Sequence, residues 1–311
     1  MPFGISSPRA FKKSRGHLYD RAMPKSAAFT IASTPDPLES LTLIGPTSRL
    51  VLAPKRGGMA TRLTLQNREL FYLDEETLRD ETKNVRGGNP VLFPSPGKLE
   101  GDAYAWNEIR GALKQHGFAR NSIWETLRTS THASGASATL RLASNDATRR
   151  EFPWNFSAEY TYSLSENSLH IDMRFTNTGT GALPFGAGFH PYFHVPQTEK
   201  AHARVETNAT RAFDNVTKKT EALAPIDLTK KEVDLHLIDH HGDCVLRLQN
   251  GGVRLKGSPE FSRWVVWTLA AKDFVCVEPW TCPGNALNTG EGILILEPQR
   301  TRELWVEYAL L

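Results

Sequence analysis

Nine residues, FSAEYTYSL at positions 156–164, alternate without a break. Phe156, Ala158, Tyr160, Tyr162 and Leu164 are apolar or aromatic, and the positions between them are polar. After SENS, the residues Leu169, Ile171, Met173 and Phe175 alternate again. A helix turns 100° per residue and would scatter these side chains around its axis. Only an extended chain, with a period of two, puts them on one face. The stretch predicts a β-hairpin with one buried and one wet face. CVLRLQNGGVRLKG repeats the scheme, with Cys244, Leu246 and Leu248 before an Asn250-Gly251-Gly252 turn and Val253 and Leu255 after it. ILILEPQRTRELWVEYAL gives two more strands about a turn containing Pro298.

Helical spacing is scarce; DEETLRDET (74–82) supports one turn or two. Glycine and proline total 42 and punctuate the chain evenly, with no linker, repeat or low-complexity run. Residues 28–311 therefore read as one all-β, antiparallel sandwich domain with few short helices.

The net charge of +3 hides an asymmetry. Residues 1–27 hold Arg9, Lys12, Lys13, Arg15, Arg21 and Lys25 against Asp20, a net of +5, so the rest sums to −2. A slightly acidic body argues against nucleic acid as a partner. No apolar run is long enough to cross a bilayer. The basic start reads as a disordered tail; its Arg/Ser-rich, acid-poor composition leaves organelle import as the alternative. Cys244, Cys276 and Cys282 form no C-x-x-C pair, which points to reduced thiols and a cytoplasmic setting. The histidines show no metal-ligand spacing, so neither metal nor cofactor is expected.

Three stretches could carry chemistry. In VCVEPW, Glu278 ends a buried strand among Val277, Pro279 and Trp280. Desolvation there raises a carboxylate pKa toward that of a useful base; a rim ion pair is the bland alternative. In PFGAGFHPYF, His190 precedes Pro191, which restricts its backbone. Gly186 and Gly188 allow close approach, and Phe185, Phe189, Tyr192 and Phe193 offer aromatic walls; a core histidine is the alternative. QHGFAR adds His116 and Arg120, and VRGGNPVLFPSPGKLEG adds Arg86, Gly87, Gly88 and Lys98. The two glycines let backbone come near a ligand, and Arg86 can fork onto an oxyanion. The competing expectation is that Arg86 and Arg120 pair with acids such as Glu125 or Asp102 and brace loops.

In this order, RGG with PVLFPSPG, QHGFAR, GFHPYF, the VDLHL around Asp234 and CVEPW resemble the aldose 1-epimerase (galactose mutarotase-like) family over roughly residues 38–310. RGG followed by QHGFARNSIWE looks like the hexose-6-phosphate mutarotase branch. The resemblance implies an antiparallel β-supersandwich with its site in a concave face. It implies Glu278 as general base, His190 as general acid, His116 near the ring oxygen and Asp234 accepting from a sugar hydroxyl. Lys98 stands where galactose mutarotases commonly carry an arginine, which argues against free-galactose recognition of that type.

The residue types suit the reaction. A base takes the O1 proton of a hemiacetal, an acid protonates the ring oxygen, the ring opens, and it recloses on the other face. The implied substrate is a small sugar or sugar phosphate, handled by a monomer or weak homodimer. Two other classes remain at this point. A non-catalytic sugar-binding domain would keep the aromatics and lose the acid/base pair. A glycoside hydrolase would hold Asp234 about 5–10 Å from Glu278 with no histidine near.

Overall fold

The computed structural model describes residue 1, residues 28–34 and residues 38–311. The expected basic tail lies, apart from its first residue, outside the described residues. The strands form three main antiparallel sheets. A five-stranded meander runs from Thr30–Thr34 to Arg68–Glu69. An eight-stranded outer sheet is ordered Arg204–Glu206, Cys244–Leu248, Gly251–Gly257, Thr301–Leu310, Ser168–Asn177, Phe156–Leu164, Gly135–Ala143, Glu125–His132. The cleft sheet is ordered Lys219–Ala222, Arg211–Asp214, Glu232–Leu237, Arg263–Leu269, Phe274–Trp280, Gly188–Phe189, Val91–Leu92, and Tyr192–His194 also pairs with Phe274–Trp280.

The alternating hairpin forms as read, with Phe156–Leu164 pairing Ser168–Asn177 through Leu164↔Leu169. Its apolar face packs on the cleft sheet. Tyr160 meets Phe189 edge-on at 5.6 Å, Tyr308 meets Phe193 at 5.8 Å, and Phe175 stacks on Phe93 at 5.5 Å. These residues and Val275 and Val277 belong to one continuous hydrophobic cluster. Phe185, Phe189 and Phe193, expected as aromatic walls for a ligand, are fully buried in this core, because their strand sides face the outer sheet.

Local readings differ in two places. The second hairpin turns at Gln249–Asn250, since Leu248 pairs Gly251, and Gly251 takes φ +95° as the left-handed residue after the turn. Leu294–Leu296 and Thr301–Leu310 are both strands, but they join different sheets; Leu294–Leu296 pairs Leu183–Phe185. The expected short helix is Glu75–Arg79, capped by Asp74; a second, Asp146–Glu151, is started by a reciprocal Asn145–Thr148 capping box.

One buried arginine organises a loop of the cleft rim. Arg56 donates to the carbonyls of Leu78 (3.1 Å), Thr77 (3.1 Å), Asp80 (2.7 Å) and Lys83 (2.7 Å). It clasps the end of the Glu75–Arg79 helix and the chain that leads to Arg86.

Candidate active site

Parity along Phe274–Trp280 builds the site. Val275 and Val277 face the sandwich core; Cys276, Glu278 and Trp280 face the other way. Glu278 thus lies inside the strand rather than at its end. Cross-strand register sets its neighbours. Trp267 is opposite Cys276, Val265 opposite Glu278 and Arg263 opposite Trp280. One strand further out, Asp234 is opposite Trp267 and His236 opposite Val265. On the other side Gly188 pairs Trp280 and Tyr192 pairs Cys276, so His190, midway between them, comes opposite Glu278.

His190 Nε2 lies 3.4 Å from Glu278 Oε1. The indole N–H of Trp280 donates to Glu278 Oε2 at 3.1 Å, leaving Oε1 as the carboxylate's open edge. His116 crosses His190 edge-on at 5.6 Å and Trp280 at 5.5 Å. Its Nδ1 accepts the Gly97 N–H at 3.0 Å, which places the imidazole proton on Nε2. His116 itself adopts φ +70°, a left-handed conformation rare outside glycine and held here by the Gly97 carbonyl, which accepts its N–H at 2.7 Å.

Burial sets the charges. It pushes the Glu278 carboxyl well above the ordinary carboxylate range, and the Asp234 charge adds to the effect. It pushes His190 down to about 3, with Arg120 contributing. It also holds His116 well below the ordinary histidine range, helped by His190. All three groups are therefore biased to their neutral forms. Desolvation disfavours a charged Glu278–His190 ion pair in the free site.

A cavity of about 1030 Å³ opens above this floor. Glu278, His190, His116, Asp234, Arg86, Arg120 and Lys98 all line it. Asp234 accepts from Asn215 Nδ2 at 2.7 Å on one oxygen and has His236 Nε2 3.6 Å from the other. Arg86 is exposed over the Trp267 ring at 6.0 Å. Arg120 is half-buried; its Nη2 donates to the Gln115 carbonyl at 2.7 Å, and among the described residues its Nε has no partner. Burial lowers its pKa to about 10, with the Arg86 charge contributing. Among the described residues neither guanidinium is paired to a carboxylate, and Glu125 pairs with Arg141 instead.

Lys98 stands apart from Arg86. Its backbone runs against Gly284, and the preceding Gly97 against Trp280. Trp280 is four residues, about 13 Å of strand, from the register position of Trp267, which carries Arg86. Gly87 and Gly88 do not serve ligand approach. A side chain there would strike Leu73 Cα at 2.5 Å or the Ala60 carbonyl at 2.5 Å, so their φ of +135° and +61° serve backbone packing. Gly186 is likewise closed by Cys282 and Pro96, and Gly188 by Pro279 and Trp280.

Among the wall residues that escaped the sequence reading are His236, Trp267 and Phe213. His236 is buried, with its ring edge-on to Trp280 at 5.2 Å and to Phe213 at 5.8 Å. The available signal was parity, because His236 is two residues from Asp234 and must share its face. His190 beside Glu278 also fails the condition under which two carboxylates would favour hydrolysis.

The family model described as Aldose 1-epimerase matches residues 39–309. A Cenchrus ciliaris protein bearing the provisional name glucose-6-phosphate 1-epimerase is 27% identical over 281 residues, covering 80% of each chain. The Slr1438 protein of Synechocystis sp. PCC 6803 is 36% identical, with a TM-score of 0.85 over 90% of this chain and 98% of its own. A galactose mutarotase-like protein from Clostridium acetobutylicum, 16% identical, shares the fold with a TM-score of 0.80 over 91% of this chain and 99% of its own. A sandwich of this form, a polar floor buried in its cleft and a family match along nearly the whole described chain agree: the protein belongs to the aldose 1-epimerase family and is an isomerase acting on a small sugar.

Proposed function

We infer that the protein interconverts the α and β anomers of a hexose 6-phosphate. The observation that carries the phosphate is the pair Arg86 and Arg120. Both are in one cleft, and among the described residues both lack a carboxylate partner and Arg120 has a buried nitrogen with no acceptor. Keeping two like charges close, with Arg120 partly desolvated, is unfavourable unless an anion joins them. A phosphate accepts from planar guanidiniums in a bidentate fashion.

The chemistry follows from one shared proton. Burial favours a resting pair in which Glu278 is protonated and His190 neutral. Transfer of that proton across their contact gives the armed pair, a carboxylate and an imidazolium, with no change in net charge. Glu278 Oε1 then accepts the O1 proton as His190 donates to O5. The C1–O5 bond breaks, C1 becomes a carbonyl, and the open chain rotates about C1–C2. The reverse transfers reclose the ring on the other face and restore both groups, so no cofactor or net redox change is required. His116 offers its Nε2–H to the ring oxygen as a neutral donor, and Asp234 accepts from a hydroxyl. Positioned acids and bases of this kind each contribute about 10²–10⁴ in rate.

The test follows anomer interconversion of glucose and glucose 6-phosphate with the wild type, Arg86→Ala and Arg120→Ala. Each variant should lose about 10- to 150-fold in kcat/KM on the phosphorylated sugar, from about 1.5–3 kcal/mol per charged hydrogen-bonding group, and little on glucose. Equal losses on both sugars would remove the phosphate from the reading. A selective loss in Lys98→Ala instead would move it to the Trp280 side of the cleft.

A further inference from the structure

We propose that His190, Cys276 and Glu278 form a binding site for a thiophilic divalent cation of the zinc type, and that filling it closes the cleft to sugar. The binding stands on geometry alone; the inhibition rests on the epimerase reading above.

Cys276 and Glu278 are two residues apart on one strand and face the same way. Tyr192, opposite Cys276 in register, stacks on His190 at 4.6 Å, and this stack carries the imidazole over the thiol. One donor atom from each of the three residues lies within 4.8 Å of the others. Three points so spaced share a position no more than about 2.8 Å from each, whereas bonds from zinc to sulfur, nitrogen and oxygen run about 2.0–2.3 Å. A closure of well under 1 Å per ligand completes the site.

The donor set is selective. Thiolate with imidazole and carboxylate suits zinc, while magnesium and calcium prefer oxygen alone. All three residues are buried, so competing water is scarce. Among the described residues His190 Nδ1 has no hydrogen-bond partner, so no second bond from them fixes the ring against the small turn that coordination needs. The cleft above His190 and Glu278 provides the entry path and an open fourth position for water. On binding, the Cys276 thiol and the Glu278 carboxyl each give a proton to solvent, and the cation occupies the Glu278 and His190 lone pairs that proton transfer requires.

Zinc chloride is titrated into the wild type, Cys276→Ala and, as a control in the outer sheet, Cys244→Ala. Mutarotation is read with and without EDTA, and cobalt chloride serves as a spectroscopic substitute. The wild type and Cys244→Ala should show zinc inhibition reversed by EDTA and a near-ultraviolet thiolate-to-cobalt charge-transfer band. Cys276→Ala should keep mutarotation within about twofold, need at least about 10-fold more zinc and lack the band. Saturating glucose 6-phosphate should abolish the wild-type band, a result that stands even where Cys276→Ala fails to fold. Equal zinc sensitivity in the wild type and Cys276→Ala, or no charge-transfer band in the wild type, overturns the site. A wild type that shows the band but no mutarotation overturns the epimerase reading and leaves the metal site intact.

Discussion

Phe156–Leu164 and Phe274–Trp280 are both central antiparallel strands, yet they use their two faces in opposite ways. The first alternates buried and half-buried residues to its end, with one face on the core and one facing water. The second is buried at every position. Its core face carries Val275 and Val277, and its other face carries a carboxylate, a thiol and an indole under the cleft. The outer strand is stabilised by nearly all it buries. The cleft strand buries Glu278 at a cost in stability, and the apolar face behind it offsets that cost. Stability and chemistry thus sit on opposite sides of a single strand.

The sharpest way to break this comparison is Glu278→Gln. The amide keeps the shape and accepts the Trp280 N–H, but it cannot take the O1 proton, so kcat should fall by about 10³ or more. The fold should gain. With the folded-state pKa of Glu278 raised, the unfolded chain ionises first as pH rises through the ordinary carboxylate range. The wild type therefore loses stability between there and the raised value, and the variant does not. Thermal melts should show the variant's advantage at pH 7 and its disappearance toward pH 4. A variant that melts below the wild type at pH 7 would mean that Glu278 supports the fold.

On the core side, Phe175→Ala should do the reverse. It leaves a void against Phe93, Tyr160 and Phe185, costing about 3–5 kcal/mol in denaturant unfolding, while kcat of the folded fraction stays near the wild type. A matching loss in kcat would mean that the core face tunes the chemistry. The smallest effect is expected at His236→Phe. This change keeps the edge contacts with Trp280 and Phe213 and removes the nitrogen beside Asp234, so KM should rise about 3- to 10-fold with kcat unchanged. A drop in kcat with KM fixed would instead place His236 in the orientation of Trp280 and Glu278.

The same contrast explains what the sequence disclosed. Alternation exposed the outer sheet because one wet face leaves a period of two in the residue types. Phe274–Trp280 has no wet face, so its parity was readable only from Glu278 outward. The same step from Asp234 leads to His236 and from Glu278 to Cys276. The motif resemblance named seven residues that the structure gathers around one cavity. It could not separate Lys98 from Arg86, since that depends on which tryptophan each loop covers. Phe185, Phe189 and Phe193 looked like ligand walls because aromatic content alone does not say which sheet face a residue takes. The partner of Leu294–Leu296 was equally hidden, since it lies over a hundred positions away.

The Arg56 clasp bears on the entropy of binding. A loop that must be ordered as its ligand arrives subtracts that ordering from affinity, at about 0.5–1.5 kcal/mol for each long side chain alone. Here one guanidinium satisfies four carbonyls of the chain leading to Arg86, so that backbone is already fixed when the protein folds. Only the Arg86 side chain remains to be ordered, and Trp267 gives it a surface to rest on. The rim is a preorganised arm whose conformational cost falls on folding, and under the phosphate proposal an arriving anion would meet a geometry already assembled.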